Sequence, residues 1–156
     1  MSIFASTSER QLNIGLAVLR AVVGTVFVAH GLQKLLVFGI DGLTAGFTQM
    51  GIPGAAIAAP LVMVAEIAGG LALLAGALTR VASGGLALVM LGAIGFAHLS
   101  AGFFNPNGYE FPLTLLAATL TLALTGAGQF SVDARLAARR SNNGVQTLRQ
   151  KIRRAA

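Results

Sequence analysis

Residues 53–78 read PGAAIAAPLVMVAEIAGGLALLAGAL, and the link Thr79-Arg80 joins them to VASGGLALVMLGAIGFAHLSA at residues 81–101. The first stretch contains Glu66 as its single charged residue, and the second contains no Asp, Glu, Lys or Arg. A helix rises about 1.5 Å per residue, so each stretch is long enough to cross a hydrocarbon core about 30 Å thick. The short link predicts that the two helices form an antiparallel hairpin.

Two more apolar segments flank this hairpin, at residues 12–37 and 111–130. Residues 43–50 lie between glycine-containing turns and predict a short helix at the membrane surface. The chain of 156 residues is 55% hydrophobic and 10% charged, whereas soluble domains are about 25% charged. This composition excludes most soluble enzymes, coiled coils and disordered chains. We therefore predict an all-α membrane protein, a bundle of four transmembrane helices.

Cysteine is absent from the chain, which excludes a disulfide scaffold and any thiol chemistry by the chain itself. The net charge of +6 lies entirely in residues 131–156, which hold seven basic residues and one acid. A basic tail beside membrane spans indicates a cytoplasmic C-terminus near anionic headgroups and does not require nucleic-acid binding. Four crossings would place both termini in the cytoplasm.

The domain organisation that follows has three parts: a cytoplasmic N-terminus at residues 1–11, a four-helix transmembrane domain at 12–130, and a basic cytoplasmic tail at 131–156. Many of the 20 glycines lie inside the spans. In lipid, small residues let helix backbones approach closely, so these glycines indicate helix contacts. Residues 24–30, GTVFVAH, also resemble residues 92–98, GAIGFAH, which is a weak sign of internal duplication.

Ionisable side chains inside apolar spans are costly to bury and are therefore the first candidates for function. Six such residues are candidate ligand-binding residues: Arg20, His30, Lys34, Glu66, His98 and Glu110. By helical rise, Arg20 lies about 12 Å from the inner end of its span and Glu66 about 19 Å from the outer end of its own. We therefore expect the two to form a buried ion pair, which either fixes the helix register or belongs to a functional site.

The other four candidates all belong to the outer ends of the spans. A single stripe of the first helix carries Arg20, Gly24, Phe27, Gly31 and Lys34, with His30 beside it. That stripe should face the bundle interior. The sequence therefore predicts a polar cavity open to the outer side, with Arg20 and Glu66 at its floor.

Each of these residues also has a simpler interpretation. Lys34 could extend to the headgroups, Glu110 could favour a helix N-terminus, and either histidine could be a satisfied core residue. A metal centre from His30, His98 and Glu110 would lack the short fixed spacing of known ligand sets, so no metal is assigned. Two outer histidines make haem ligation a weak alternative. No catalytic residue is assigned, because the chain has no Ser-His-Asp pattern, phosphate loop or nucleotide fingerprint.

The sequence resembles the DoxX family of small four-span bacterial membrane proteins, over about residues 15–136. The motifs that carry the resemblance are Leu19-Arg20, HGLQK at 30–34, EIAGG at 66–70, Thr79-Arg80, His98, Glu110, and GAGQFSVD at 126–133. Gln129 replaces a basic residue often found there, and the basic tail lies outside the shared region.

The resemblance implies a multi-pass protein of the bacterial cytoplasmic (inner) membrane. Family members are commonly given the provisional label of oxidoreductase, and relatives are described as membrane subunits in redox chemistry close to the quinone pool. The cofactor is unknown, and a quinone is a candidate ligand that would fit the predicted cavity. The implied partners are the lipid bilayer, a quinone or another small ligand, soluble redox enzymes, or a second copy of the chain. The alternative is a non-enzymatic carrier of small solutes, or a membrane scaffold for soluble enzymes.

Overall fold

The computed structural model describes residues 8–104, 106–141 and 143. These residues are overwhelmingly helical and contain no strand. The helices are α1 (Glu9–Gln33), α2 (Gly39–Gln49), α3 (Ala55–Ala75), α4 (Thr79–Gly92) and α5 (Glu110–Thr125), and residues 132–141 are also helical. The predicted N-terminal segment, 1–11, and the predicted tail, 131–156, lie partly outside the described residues, and both remain predictions.

Helix α1 begins three residues earlier than the apolar pattern predicts, because Ser8 and Gln11 cap it. The Gln11 backbone N–H donates to the Ser8 hydroxyl at 3.2 Å, and the Ser8 N–H donates to Gln11 Oε1 at 2.9 Å. This reciprocal arrangement satisfies two N–H groups at the helix end. At its other end α1 widens into a π-helical segment, Lys34–Phe38, and the chain turns at Gly39, whose φ is +66°.

Three helical stretches are long and apolar enough to cross a membrane, and they include α1, α3 and α4. Helix α5 is apolar but shorter, with 16 residues. The fourth predicted segment, 111–130, is therefore wrong at its C-terminal end. Gly126 adopts a φ of +83°, and this conformation stops the helix after Thr125.

Close backbone contact joins α1 to α3. A Cβ built on Gly24 would lie 2.8 Å from the carbonyl oxygen of Gly70, and one built on Gly70 would lie 2.7 Å from that of Gly24. Helix α4 packs mainly on α5. It also packs on α3, to which the predicted tight turn connects it. The buried core between the helices includes Phe27, Leu73 and Leu122. The expectation that glycine allows close helix contact is confirmed for this pair.

The bundle has two opposite ends. The Arg80 end holds the start of α1, the α3–α4 turn and the end of α5. The His98 end holds the π-helical segment Lys34–Phe38, helix α2, and the corresponding π-helical segment Ala93–His98. Helix α2 packs on α3 here, with Leu43 against Ala59 and Met63. It begins at Gly39, four residues earlier than predicted, and its location at the membrane surface remains a prediction.

Candidate functional site

The ion pair between Lys34 and Glu66 joins α1 to the middle of α3. Lys34 Nζ lies 2.6 Å from Glu66 Oε2 and donates a hydrogen bond to it. The Glu66 side chain is 4% exposed and that of Lys34 is 19% exposed. The lysine therefore links a buried carboxylate to the surface of the bundle.

The backbone around this pair explains how the two side chains meet. Gly31 is buried, and a Cβ built on it would lie 2.6 Å from the Ile67 side chain and 3.2 Å from that of Glu66. Any larger residue at this position would separate α1 from α3. Lys34 follows one turn later, where the helix widens into its π-helical segment, a feature often found at functional positions.

The predicted pair between Arg20 and Glu66 is wrong. Arg20 is buried, with 5% exposure, but its guanidinium donates hydrogen bonds to the carbonyl oxygens of Ala127 and Phe130. The Nη2 to Phe130 oxygen distance is 2.7 Å. Arg20 also lies beside Gly76, the residue directly after α3, where a built Cβ would lie 2.7 Å from Nη1.

The register between α1 and α3 accounts for this error. Because Gly24 faces Gly70 and Gly31 faces Glu66, the antiparallel register puts Arg20 beside the end of α3 near Gly76. Glu66 and Arg20 are then separated by several residues of helix, on the order of 15 Å along the axis. The expected inward stripe is nevertheless confirmed, since Arg20, Gly24 and Gly31 are all buried.

The Arg20 cluster, formed by Asn13, Arg20, Ser131 and Asp133, ties the chain after α5 to the Arg80 end. The Gln129 N–H donates to Asn13 Oδ1 at 2.7 Å, and the Ser131 hydroxyl donates to the Gly128 carbonyl at 2.6 Å. Ser131 Oγ in turn accepts from the Ala134 N–H at 3.1 Å and caps the helical residues that follow.

Asp133 caps α4 from outside that helix. Its carboxylate accepts hydrogen bonds from the N–H groups of Leu78 at 2.8 Å and Thr79 at 2.9 Å. Burial opposes ionisation of Asp133, but the hydrogen bonds from Thr79 and Leu78 and the Arg20 charge lower its pKa below the usual value. The carboxylate also holds Leu78 at a φ of +50°, which is unusual for a bulky residue.

The remaining predicted residues, His30, His98 and Glu110, lie at the His98 end. His30 is exposed and its ring packs on Phe111, with 5.7 Å between centroids. His98 Nδ1 lies 2.8 Å from the Asn107 carbonyl oxygen. Glu110 begins α5 next to Phe111. His30 and Glu110 therefore belong to neighbouring helix ends, while the cavity that should unite them stays a prediction.

A pocket of roughly 350 Å³ opens at the Arg80 end, and none of the six predicted residues lines it. Its walls come from the α3–α4 turn and from residues 125–134, including Arg80, Gly126 and Asp133. Within the part of the chain that the structure describes, no three His, Cys, Asp or Glu side chains lie together in a group that could hold a metal ion.

Asp133 and Asn13 are the polar residues that the sequence-based site omitted. Asp133 is the one acid in a strongly basic tail, and it ends a glycine-containing motif. That isolation marks Asp133 as a candidate for a specific local role, which here is the cap of α4. Asn13 gives no comparable signal, because its partner is the backbone N–H of Gln129, which is distant in the sequence.

Comparison with known proteins gives consistent matches. The DoxX family model matches residues 15–99. An uncharacterized membrane protein of Mycobacterium tuberculosis is 36% identical over 140 residues, covering 82% of this chain and 85% of the relative. A Bacillus subtilis protein named "Putative oxidoreductase CatD" is 32% identical over 125 residues, covering 80% and 89%. The inner membrane protein YqjF of Escherichia coli is 33% identical over 129 residues, covering 78% and 91%. No solved structure matches the chain significantly.

Proposed function

Because the chain belongs to the DoxX family of membrane proteins, we propose that it is a membrane subunit of a quinone-linked redox complex in the bacterial inner membrane. The observation that carries this proposal is the Lys34–Glu66 pair, which reaches from the bundle surface to a buried carboxylate in the middle of an apolar helix. A relative named as an oxidoreductase and another named as an inner membrane protein support the reaction class and the location.

The chemistry of the pair suits a quinone that enters from the hydrocarbon. Lys34 is followed by exposed apolar side chains, among them Leu36 and Val37. The Lys34 ammonium can donate a hydrogen bond to a quinone oxygen, and Glu66 can accept or release a proton. A quinone becomes a quinol by taking up two electrons and two protons. The chain has no cysteine that could act as a thiol donor, and in this proposal a soluble redox enzyme bound to the subunit supplies the two electrons.

The predicted outer cavity completes this proposed site. His30 and Glu110 belong to helix ends that meet through the His30–Phe111 contact, and His98 lies beside the loop that precedes α5. In the proposal these three residues lie on the proton path between the outer surface and Glu66. Arg20 has no place in this path, because its hydrogen bonds hold the opposite end of the bundle.

We propose four crossings, with both termini in the cytoplasm. The fourth crossing is α5, whose 16 residues rise about 24 Å; the bilayer adapts to such short spans by thinning locally. The seven basic residues at 131–156 support a cytoplasmic C-terminus. A cysteine at Asn107 should react with an impermeant maleimide in intact spheroplasts, and one at Arg135 only after lysis. The reverse pattern would contradict the orientation.

Equilibrium binding of decylubiquinone to the purified full chain tests the ligand. Glu66→Gln should weaken binding at least about tenfold, since hydrogen bonds that involve charged groups contribute about 1.5–3 kcal/mol. The matched control is Glu9→Gln, the same substitution at an exposed position of α1. Folded Glu66→Gln protein with unchanged binding would contradict the proposal. Solute flux into liposomes without any quinone binding would instead favour the carrier alternative.

A further inference from the structure

The pocket at the Arg80 end is lined by residues that have no part in the proposed quinone site. Arg80, the one basic residue among its lining residues, projects from the first turn of α4. The guanidinium lies over Gly126, where a built Cβ would be 3.3 Å from Nε. The glycine therefore leaves the space in which the guanidinium rests beside the pocket.

Within the described part of the chain, Arg80 makes no ion pair. Asp133 also lines the pocket, but its two carboxylate oxygens accept hydrogen bonds from the N–H groups of Leu78 and Thr79. The nearby charge of Arg20 also helps to lower the pKa of the Asp133 carboxyl. Arg80 consequently has donors available for an anion that enters the pocket.

The walls of the pocket favour a ligand with an apolar part. Leu78 is 71% exposed and Val81 is 74% exposed, and they flank Arg80 on either side. Large apolar side chains with this exposure, at the end of helices long enough to span a membrane, offer a surface that suits acyl chains. The helical residues 132–141 begin beside the pocket and carry Arg135, Arg139 and Arg140, which add to the positive field.

We propose that this pocket binds the headgroup phosphate of an anionic phospholipid, with Arg80 as the phosphate ligand and Leu78 and Val81 against the acyl chains. A guanidinium presents paired N–H donors that match phosphate oxygens. The site orders lipid at the Arg80 end of the bundle, far from the Lys34–Glu66 pair. It is independent of the proposed redox function.

Binding of short-chain lipids to the full chain in a neutral maltoside detergent tests this site. Dihexanoyl phosphatidylglycerol should bind, and dihexanoyl phosphatidylcholine should bind at least about fivefold more weakly, because its headgroup has no net charge. Arg80→Gln should weaken phosphatidylglycerol binding about tenfold, the scale of one lost hydrogen bond to a charged group. The matched control is Arg10→Gln, an exposed arginine of α1 near the same end that does not line the pocket. It should change binding less than twofold.

A second substitution keeps the test decisive if Arg80→Gln does not fold. Ala134→Asp places an acid in the pocket wall and should also abolish phosphatidylglycerol binding, whereas Ala137→Asp, an exposed position outside the wall, should not. Equal loss in the pocket and control variants would overturn the site, as would no loss in either. Inorganic phosphate that competes as well as the lipid at equal concentration would show a free-phosphate site and overturn the lipid assignment.

Discussion

Lys34 and Glu66 form an ion pair 2.6 Å long between the end of α1 and the middle of α3. The carboxylate is almost fully buried, while the lysine is partly exposed. A buried charge in an apolar helix is tolerable when it is paired, and removal of one partner leaves the other charge uncompensated. The pair therefore stabilises the α1–α3 contact, and in our proposal it also binds the ligand.

A double-mutant cycle measures the strength of this pair. Lys34→Met should lower the free energy of unfolding in detergent by about 3–5 kcal/mol, because it leaves the Glu66 carboxylate buried alone. Glu66→Gln should cost less, since the partly exposed Lys34 can reach headgroups. The double variant should be more stable than Lys34→Met alone. Additive losses in the cycle would show that the two side chains are not coupled.

Close packing at Gly70 should make α3 intolerant of even one added methyl group. A Cβ at Gly70 would lie 2.7 Å from the Gly24 carbonyl oxygen and 2.9 Å from the Val28 nitrogen, both backbone atoms. Gly70→Ala should therefore destabilise the protein by about 1–3 kcal/mol. Gly85→Ala is the matched control, because nothing lies within 4 Å of its built Cβ. Thermal unfolding of both variants in detergent should separate them, and equal melting temperatures would contradict this packing.

Arg20 should not be replaceable by lysine. Its two terminal nitrogens donate to different carbonyl oxygens, those of Ala127 and Phe130, and a single ammonium cannot reproduce that fork. Arg20→Lys should cost about 1.5–3 kcal/mol of unfolding free energy, the scale of one hydrogen bond to a charged group. The exposed Arg10→Lys should stay within about 0.5 kcal/mol of wild type. Denaturant titration measures the unfolding free energy of both variants. An Arg20→Lys variant as stable as wild type would refute the role of the two-pronged hydrogen bonding.

Asp133 should give the Arg80 end a pH-dependent stability. Asp133→Asn removes the charged cap of α4 and should cost about 0.5–2 kcal/mol at neutral pH. Because the folded-state pKa of Asp133 is lowered, its contribution is complete above the unfolded-state pKa of about 3.9 and is lost as pH falls through the folded pKa. The stability difference between wild type and variant, measured from pH 3 to 7, should shrink at the acid end. A difference that grows on acidification would contradict this sign.

The helical fold could be predicted because long apolar runs with few charges leave little choice of structure in a bilayer. The residues at which the helices end were harder to predict. Gly126 ends α5 through its positive φ, yet in the sequence it resembles the glycines inside the spans, such as Gly70, which serve helix contact instead. The same residue type has two uses here, and composition alone does not separate them.

Lys34 and Glu66 were both named from the sequence, but the sequence did not predict that they pair with each other. Arg20 and Lys34 share one stripe of α1, and either could meet Glu66, depending on how far α1 is displaced along α3. That register is set by the close contacts of Gly24 and Gly31, which form only in three dimensions. The partners of Arg20 are backbone carbonyls more than a hundred residues away, and no local pattern identifies them.

Photoaffinity labelling tests the central claim, that the Lys34–Glu66 pair binds a quinone, most directly. An azidoquinone is irradiated with the full chain in lipid nanodiscs, and the labelled peptides are mapped by mass spectrometry with decylubiquinone as competitor. We expect label that decylubiquinone competes away in residues 27–38 and 60–70, and we expect this label to be lost in Glu66→Gln but not in Glu9→Gln. Label confined to other segments, or label in residues 27–38 and 60–70 that persists in Glu66→Gln, would contradict it.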